Sequence, residues 1–314
     1  MSRRKIVCED LNRGIDDLRR QGFRLDVIYP ADGPTSALLS RDGELVQLAI
    51  AGAVPPTDAL PPFGPASILT RSGASPDAGR AGMLYRDLIP GRLGGRYIAS
   101  HITIPEGGPV DDWVHHHRVA VQMIVVRRGW VRVVYQDQGD PFVMEAGDLV
   151  VQPPGIRHRV LESSTGLEVV EISAPALHET FADHDLALPN GAAAGREYGG
   201  QHFLRHVAAD IPWRPVEGLE VQETAVASVT GGIAAARTIR PGTASEAGFD
   251  GHEGELVFGF VMEGRARMNG AELCPADAFT ILPGDAWRIE SMTPDFRLLH
   301  VTTARLDAVG RSLL

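Results

Sequence analysis

Hydrophobic positions along this chain recur mostly at every second residue, in short runs broken by Gly, Pro, Asn and Asp. That period predicts strands rather than helices. One set of runs occupies residues 97–173: YIASHITI, VQMIVV, WVRVVYQ, PFVME, LVVQ, RHRVLE and LEVVEIS. A strand roughly every ten residues is the spacing of a β-sandwich or barrel. A second set, 220–303, repeats the order with IAAARTIRPG, HEGELVFGFVMEGRARM and CPADAFTILPGDAW. Before them, 9–21 (EDLNRGIDDLRRQ) reads as a short helix, and FRLDVIYP and ELVQLAI as strands with a turn at Asp42 and Gly43. HETFADHD, 178–185, is expected to begin a helix. The stretch 54–80 is rich in Pro, Gly, Ala and Ser and reads as a linker or wrapping arm, and 188–200 as a linker between the two β-units.

Composition narrows the classes without naming one. At 314 residues the chain is long enough for two domains with substantial cores, and its 35 Gly and 22 Pro supply the turns an all-β protein needs. A net charge of -10 with no basic cluster argues against nucleic acid as a partner. No run of eighteen apolar residues occurs, so no membrane span is expected. Cys8 and Cys274 lack metal-ligand spacing and suggest no disulfide framework, and the N-terminal segment has no apolar stretch behind its positive charges; a cytoplasmic setting is expected. Lys5 is the only lysine, which leaves no Schiff-base lysine for the core.

Chemistry concentrates in HHHRVAVQMIVVRRG, 115–129, and GDLVVQPPGIRH, 147–158. On an extended strand His115 and His117 share a face while His116 points the other way. Gln122 opens the neighbouring strand. The bend at Pro153, Pro154 and Gly155 returns the chain so that His158 joins them. Three neutral imidazoles suit Fe, Mn, Ni, Cu or Zn and leave open positions for substrate or O2. By their residue types, Glu162, Glu168 and Glu171 read as solvated positions on later strands.

The two half-motifs resemble those of the cupin superfamily, HxHxxxxExxxxxxG and GxxxxxPxGxxH, with one departure: Gln122 stands where many cupins have Glu. The resemblance implies an all-β protein of two cupin barrels (double-stranded β-helix, jelly-roll) in tandem with a small N-terminal α+β extension. The expected boundaries are 1–95 for the extension and arm, 96–187 for the first barrel, 188–219 for the linker and 220–314 for the second barrel. It further implies a metal held by His115, His117 and His158, with Gln122 either a weak ligand or a hydrogen-bonding group behind the ligands. Setting VMEG, 261–264, on VRRG, 126–129, puts Asp250 at the His115 position, His252 at His117, Val257 at Gln122, Gly284 at Gly155 and Trp287 at His158. The barrel repeats in this register; the ligand set does not.

One intact and one eroded site resemble the bicupin ring-cleaving dioxygenases of the gentisate and salicylate type. That resemblance implies Fe(II), with Mn, Ni, Cu or Zn as alternatives, acting on a small anionic chelating substrate and O2. Gln122 and His101 are the candidate catalytic polar groups, and Trp113, Thr103, Ile124 and Arg96 the candidate pocket residues. Alternation sets Arg157 and Arg159 on the face away from His158. Exposed sheet edges favour a homo-oligomer. The same ligand set would also serve an isomerase, lyase or hydrolase, and an eroded barrel would serve a non-catalytic ligand-binding protein.

Overall fold

The computed structural model describes residues 3–57, 59–78, 82–193 and 195–306; the ends of the expected extension and second barrel, 1–2 and 307–314, and positions 58, 79–81 and 194 lie outside them. The protein is mostly β, built as two tandem jelly rolls. In the first, one sheet runs in the order Leu204–His206, Leu149–Val151, Val121–Arg128, Leu167–Ala174, Ile98–Ile104, Leu84–Asp87 and Asp77–Ala78. Facing it are His115–His117, His158–Ser163, Trp130–Tyr135 and Phe142–Glu145. Leu84–Asp87 pairs with Ile98–Ile104, so strand pairing of this barrel begins before residue 96. Leu204–His206, inside the expected linker, also joins the sheet, against Leu149–Val151.

The N-terminal strands are not a separate unit. Arg3–Cys8, Glu44–Ile50, Ser36–Arg41 and Arg24–Tyr29 continue the sheet that carries the histidines, joined to it through Thr180–Ala182. Within the segment expected to begin a helix, 178–185, residues Thr180–Ala182 therefore form a strand instead, with Thr180 opposite both His117 and Ile28. Two flanking strands offer the β-branched and aromatic side chains of Thr180 and Phe181 a ladder on each side, and this tertiary pairing outweighs weak local helix propensity. The helix Leu11–Arg20 starts at Asp10, whose side chain accepts from Arg13 N at 3.0 Å, and buries Leu11, Ile15 and Leu18 against the N-terminal sheet.

The second jelly roll has one sheet of Arg214–Val216, Leu219–Glu223, Ala234–Pro241, Arg297–Thr303, Leu256–Glu263 and Ala278–Ile281, which Ile68–Thr70 of the arm completes. Its second sheet contains Ala247–Phe249, Trp287–Glu290, Ala266–Met268 and Ala271–Leu273. The two jelly rolls pack sheet against sheet. Val121, Met123, Val125, Val170 and Ile172 of the first share one buried cluster with Ala234, Ala236, Phe258, Phe260 and Val301 of the second. Burial on both faces explains why VQMIVV and LVFGFV are nearly continuous in apolar residues instead of alternating. Among the described residues no helix is long and apolar enough to cross a membrane.

Candidate metal centre

His115 lies directly across the ladder from His158, and His117 is two residues along the same strand. Gly155, at φ +75°, makes the turn that returns His158; its N–H donates to His117 O at 3.3 Å. A residue with a Cβ would strain at that φ. The rings of His115 and His158 lie 4.3 Å apart, those of His115 and His117 5.1 Å, and those of His117 and His158 5.3 Å. One ring nitrogen from each falls within 4.8 Å of the others, and all three residues are buried. His116 turns to the opposite face and stacks on Phe181.

The far sides of the imidazoles are held. His115 Nδ1 lies 2.7 Å from Trp113 O, with Asp112 at 3.6 Å, and Asp112 is itself fixed by Val160 N at 2.9 Å. His158 Nδ1 lies 3.1 Å from Ile156 O, and His117 Nδ1 lies 3.0 Å from Thr180 Oγ1. A carbonyl can only accept, so Nδ1 of His115 and His158 carries the proton and Nε2 carries the lone pair. Neutral rings tied back in this way, with lone pairs on the converging side, fit a single transition-metal ion.

Gln122 lines the same cavity as the histidines and holds a carboxylate there. Its Nε2 donates to Glu171 Oε1 at 2.8 Å, and Ser173 Oγ donates to the same oxygen at 3.2 Å. Gln122 thus serves as a hydrogen-bonding group beside the histidines. Glu171 corrects the expectation of a solvated face: it pairs with Ile124 and, with Leu167 and Val169, lines the cavity at the histidines. The signal was present in LEVVEIS, where Glu171 keeps the parity of apolar Leu167 and Val169.

That cavity, about 80 Å³, is walled by Met83, Ile102, Ile104, Val131, Val133 and Met144, among other apolar side chains. Ile124 is also on its wall. Tyr135 and Gln152, which sequence reasoning missed, also line it, and Gln152 Nε2 donates to Tyr135 Oη at 2.7 Å. Burial holds the Tyr135 phenol well above its ordinary range, so it keeps its proton. Arg159 borders the cavity too, against the expectation from alternation, while Arg157 is held by Asp183 at 3.0 Å.

Four expected site residues lie elsewhere. Ile102 and Ile104 face the cavity, so His101 and Thr103 on the same strand face away. His101 sits at the seam between the barrels, its ring 5.6 Å from Phe260, with Nε2 2.8 Å from Glu168 and Nδ1 3.1 Å from Arg86. The hydrogen bond from His101 and the charge of Arg127 bring the Glu168 carboxyl down to about 2, against desolvation. Arg96 is buried in an ion pair with Glu255 of the second barrel at 3.2 Å. Trp113 meets His115 edge-on at 5.1 Å, but its other side faces the N-terminal helix, not the cavity.

In the second barrel Phe249 lies across the ladder from Trp287, the relation of His115 to His158. Phe249, not Asp250, therefore holds the His115 position, and the two rings stack at 4.0 Å and 9°. Gly284 N donates to His252 O at 2.9 Å as Gly155 N does to His117 O, so one extra residue separates the paired positions here. Among the described residues, one cluster of three metal-ligating side chains occurs, in the first barrel.

Residues 100–173 match the family model described as a cupin domain. The architecture is that of a bicupin. No curated protein matches the chain by sequence. Similar solved structures include a single-residue variant of Bacillus subtilis oxalate decarboxylase, 13% identical over 80% of both chains with a TM-score of 0.56. Another is the formate complex of Lactobacillus farciminis oxalate decarboxylase, 13% identical over 81% of this chain and 88% of that chain, with a TM-score of 0.55. At such identity the likeness concerns the fold.

Proposed function

We propose that this bicupin is a metal-dependent oxygenase, an Fe(II) dioxygenase that cleaves a C–C bond in a small chelating anion. The observation that carries the reading is the set of three buried imidazoles converging on a small, mostly apolar cavity with one carboxylate, Glu171, on its wall. An Fe(II) ion, which His115, His117 and His158 would hold, would supply redox chemistry toward substrate and O2. Gln122 and Ser173 orient Glu171, which accepts the acidic proton of a substrate entering in neutral form; the apolar walls exclude water and hold the substrate's hydrocarbon parts. The mostly apolar walls suit the hydrocarbon part of a small keto/enol substrate. The strand Arg3–Cys8 ends its sheet with Val7 72% exposed, which supports self-association through that edge.

A redox-neutral cleavage of a small dicarboxylate is the second reading, favoured by the cavity's size and by the structural likeness to oxalate decarboxylases. Metal analysis of the purified protein, with O2 uptake measured on small β-dicarbonyls, hydroxylated benzoates and oxalate, separates the two. O2-dependent turnover with bound iron is expected; turnover under argon refutes the dioxygenase. His117→Ala is expected to lose the metal, and full metal and activity in that variant would sink the site.

A further inference from the structure

We propose that Tyr135 and Gln152 form a donor subsite that hydrogen-bonds an acceptor oxygen of the ligand chelated at the three histidines. The proposal rests on the reading of this cavity as the ligand site and adds a third point of recognition to it. Both residues are buried and line the cavity. Tyr135 is fixed in place: its ring stacks on His158 at 5.5 Å and 24°, and packs against Phe203 at 4.6 Å and Phe142 at 5.9 Å. The Gln152 backbone is pinned by its N–H to Gln122 O at 3.0 Å, immediately before the turn that positions His158.

The hydrogen-bond count of the pair does not close within the protein. With Gln152 Nε2 donating to Tyr135 Oη, the phenol oxygen is accepting, its own O–H is unspent, and Gln152 Oε1 is buried with no partner. Turning the amide over lets Tyr135 donate to Oε1, and then both N–H groups of Gln152 are unspent. In either arrangement a buried donor remains on the wall without a protein partner among the described residues. Such a donor costs free energy unless a ligand or water accepts from it. The nearby carboxylate of Glu171 already receives from Gln122 and Ser173. A ketone, enolate or carboxylate oxygen in the cavity would close the count, and a chelator offering only N–H groups would not.

The test is equilibrium binding to the metal-loaded protein under argon, with acetylacetone and ethylenediamine as probes, followed by calorimetry. Acetylacetone offers acceptor oxygens; ethylenediamine chelates but offers donors. Tyr135→Phe and Gln152→Met are each expected to weaken acetylacetone about tenfold, the loss of roughly one good hydrogen bond, and to leave ethylenediamine within about twofold of wild type. If Tyr135→Phe fails to fold, Gln152→Met carries the comparison. Acetylacetone affinity within about twofold of wild type in a folded variant, an equal loss for both probes, or no acetylacetone binding by the wild type overturns the subsite. No step of the assay turns over, so failure of the dioxygenase reading shows separately, as absent O2 uptake.

Discussion

Replacing Arg96 with Met is expected to destabilise the fold while sparing the metal centre. The Arg96 guanidinium is 1% exposed and reaches both oxygens of Glu255, itself 4% exposed, with contacts of 3.2 Å. Removing one member of such a pair leaves a buried charge, a change that costs about 3–5 kcal/mol. Two other donors stay on the carboxylate, Tyr97 Oη at 2.9 Å and Leu306 N at 3.1 Å, so the low end, about 3 kcal/mol, applies. At about 2–4 °C per kcal/mol for a protein approaching this size, Tm should fall by about 6–12 °C. Replacing both partners, Arg96→Met with Glu255→Leu, removes both charges but takes the acceptor from Leu306 N, so it should recover only part of the loss. The assay is calorimetry on wild type, both single variants and the double variant, with metal content and acetylacetone binding measured well below each Tm. Arg96→Met that melts with wild type, or that loses ligand binding at an unchanged Tm, would refute the placement of this residue at the barrel seam.

Three further outcomes are expected. Burial, then the charges of Arg237 and His252, lower the His300 pKa to about 3, far below that of an unfolded chain. The unfolded state therefore takes the proton first, so the stability tied to neutral His300 is complete above about pH 6.5 and is lost as pH falls toward the native value; His300→Phe should flatten the acid limb of a Tm-against-pH curve, and an unchanged limb would remove His300 as its cause. Gln122→Glu puts a second carboxylate against Glu171, and two such groups share a proton instead of both ionising; Tm should drop more at pH 8 than at pH 5.5, and a pH-independent difference would contradict the pairing. Gly259→Ala would bring a Cβ to 2.1 Å from the buried Phe279 ring, an overpacking of about 1–3 kcal/mol, read as a lower urea midpoint, whereas no shift would mean that the ring has room to move.

The sequence made the barrel strands and the histidine cluster legible because both depend on local rules: a two-residue alternation, and a Pro-Pro-Gly bend. It misplaced groups whose face depends on a neighbour. His101 alternates with Ile102 and Ile104, and the apolar pair marks the cavity side once the facing sheet is known. Thr180 and Phe181 favour a strand too weakly to outweigh their polar neighbours in the sequence; they are extended because His115–His117 and Arg24–Tyr29 flank them. The single inserted residue that puts Phe249 rather than Asp250 opposite Trp287 is visible only in the ladder.

His101, Glu168 and Arg96, three of the misplaced polar residues, have a common location, which says why a strand pattern alone invites the error. Arg86, His101, Glu168 and Arg127 lie on the outer face of the first barrel's sheet, where it meets the second barrel; Arg86 donates to Ala276 O at 2.8 Å, and Arg127 pairs with Glu168. Arg96 and Tyr97 reach Glu255 and Thr303 across the same seam. Polar groups on a face otherwise filled by Met123, Val125 and Ile172 must find partners when the barrels close: His101, Glu168 and Arg127 find them in one another, while Arg86, Arg96 and Tyr97 reach the second barrel. The second barrel needs no ligands for this work. The Phe249–Trp287 stack, with Phe279 edge-on to Trp287 at 5.4 Å, fills the space that the imidazoles leave open in the first barrel. The interior of one barrel is thus given to packing, while its outer sheet holds the sheet on which Gln122 and Glu171 stand.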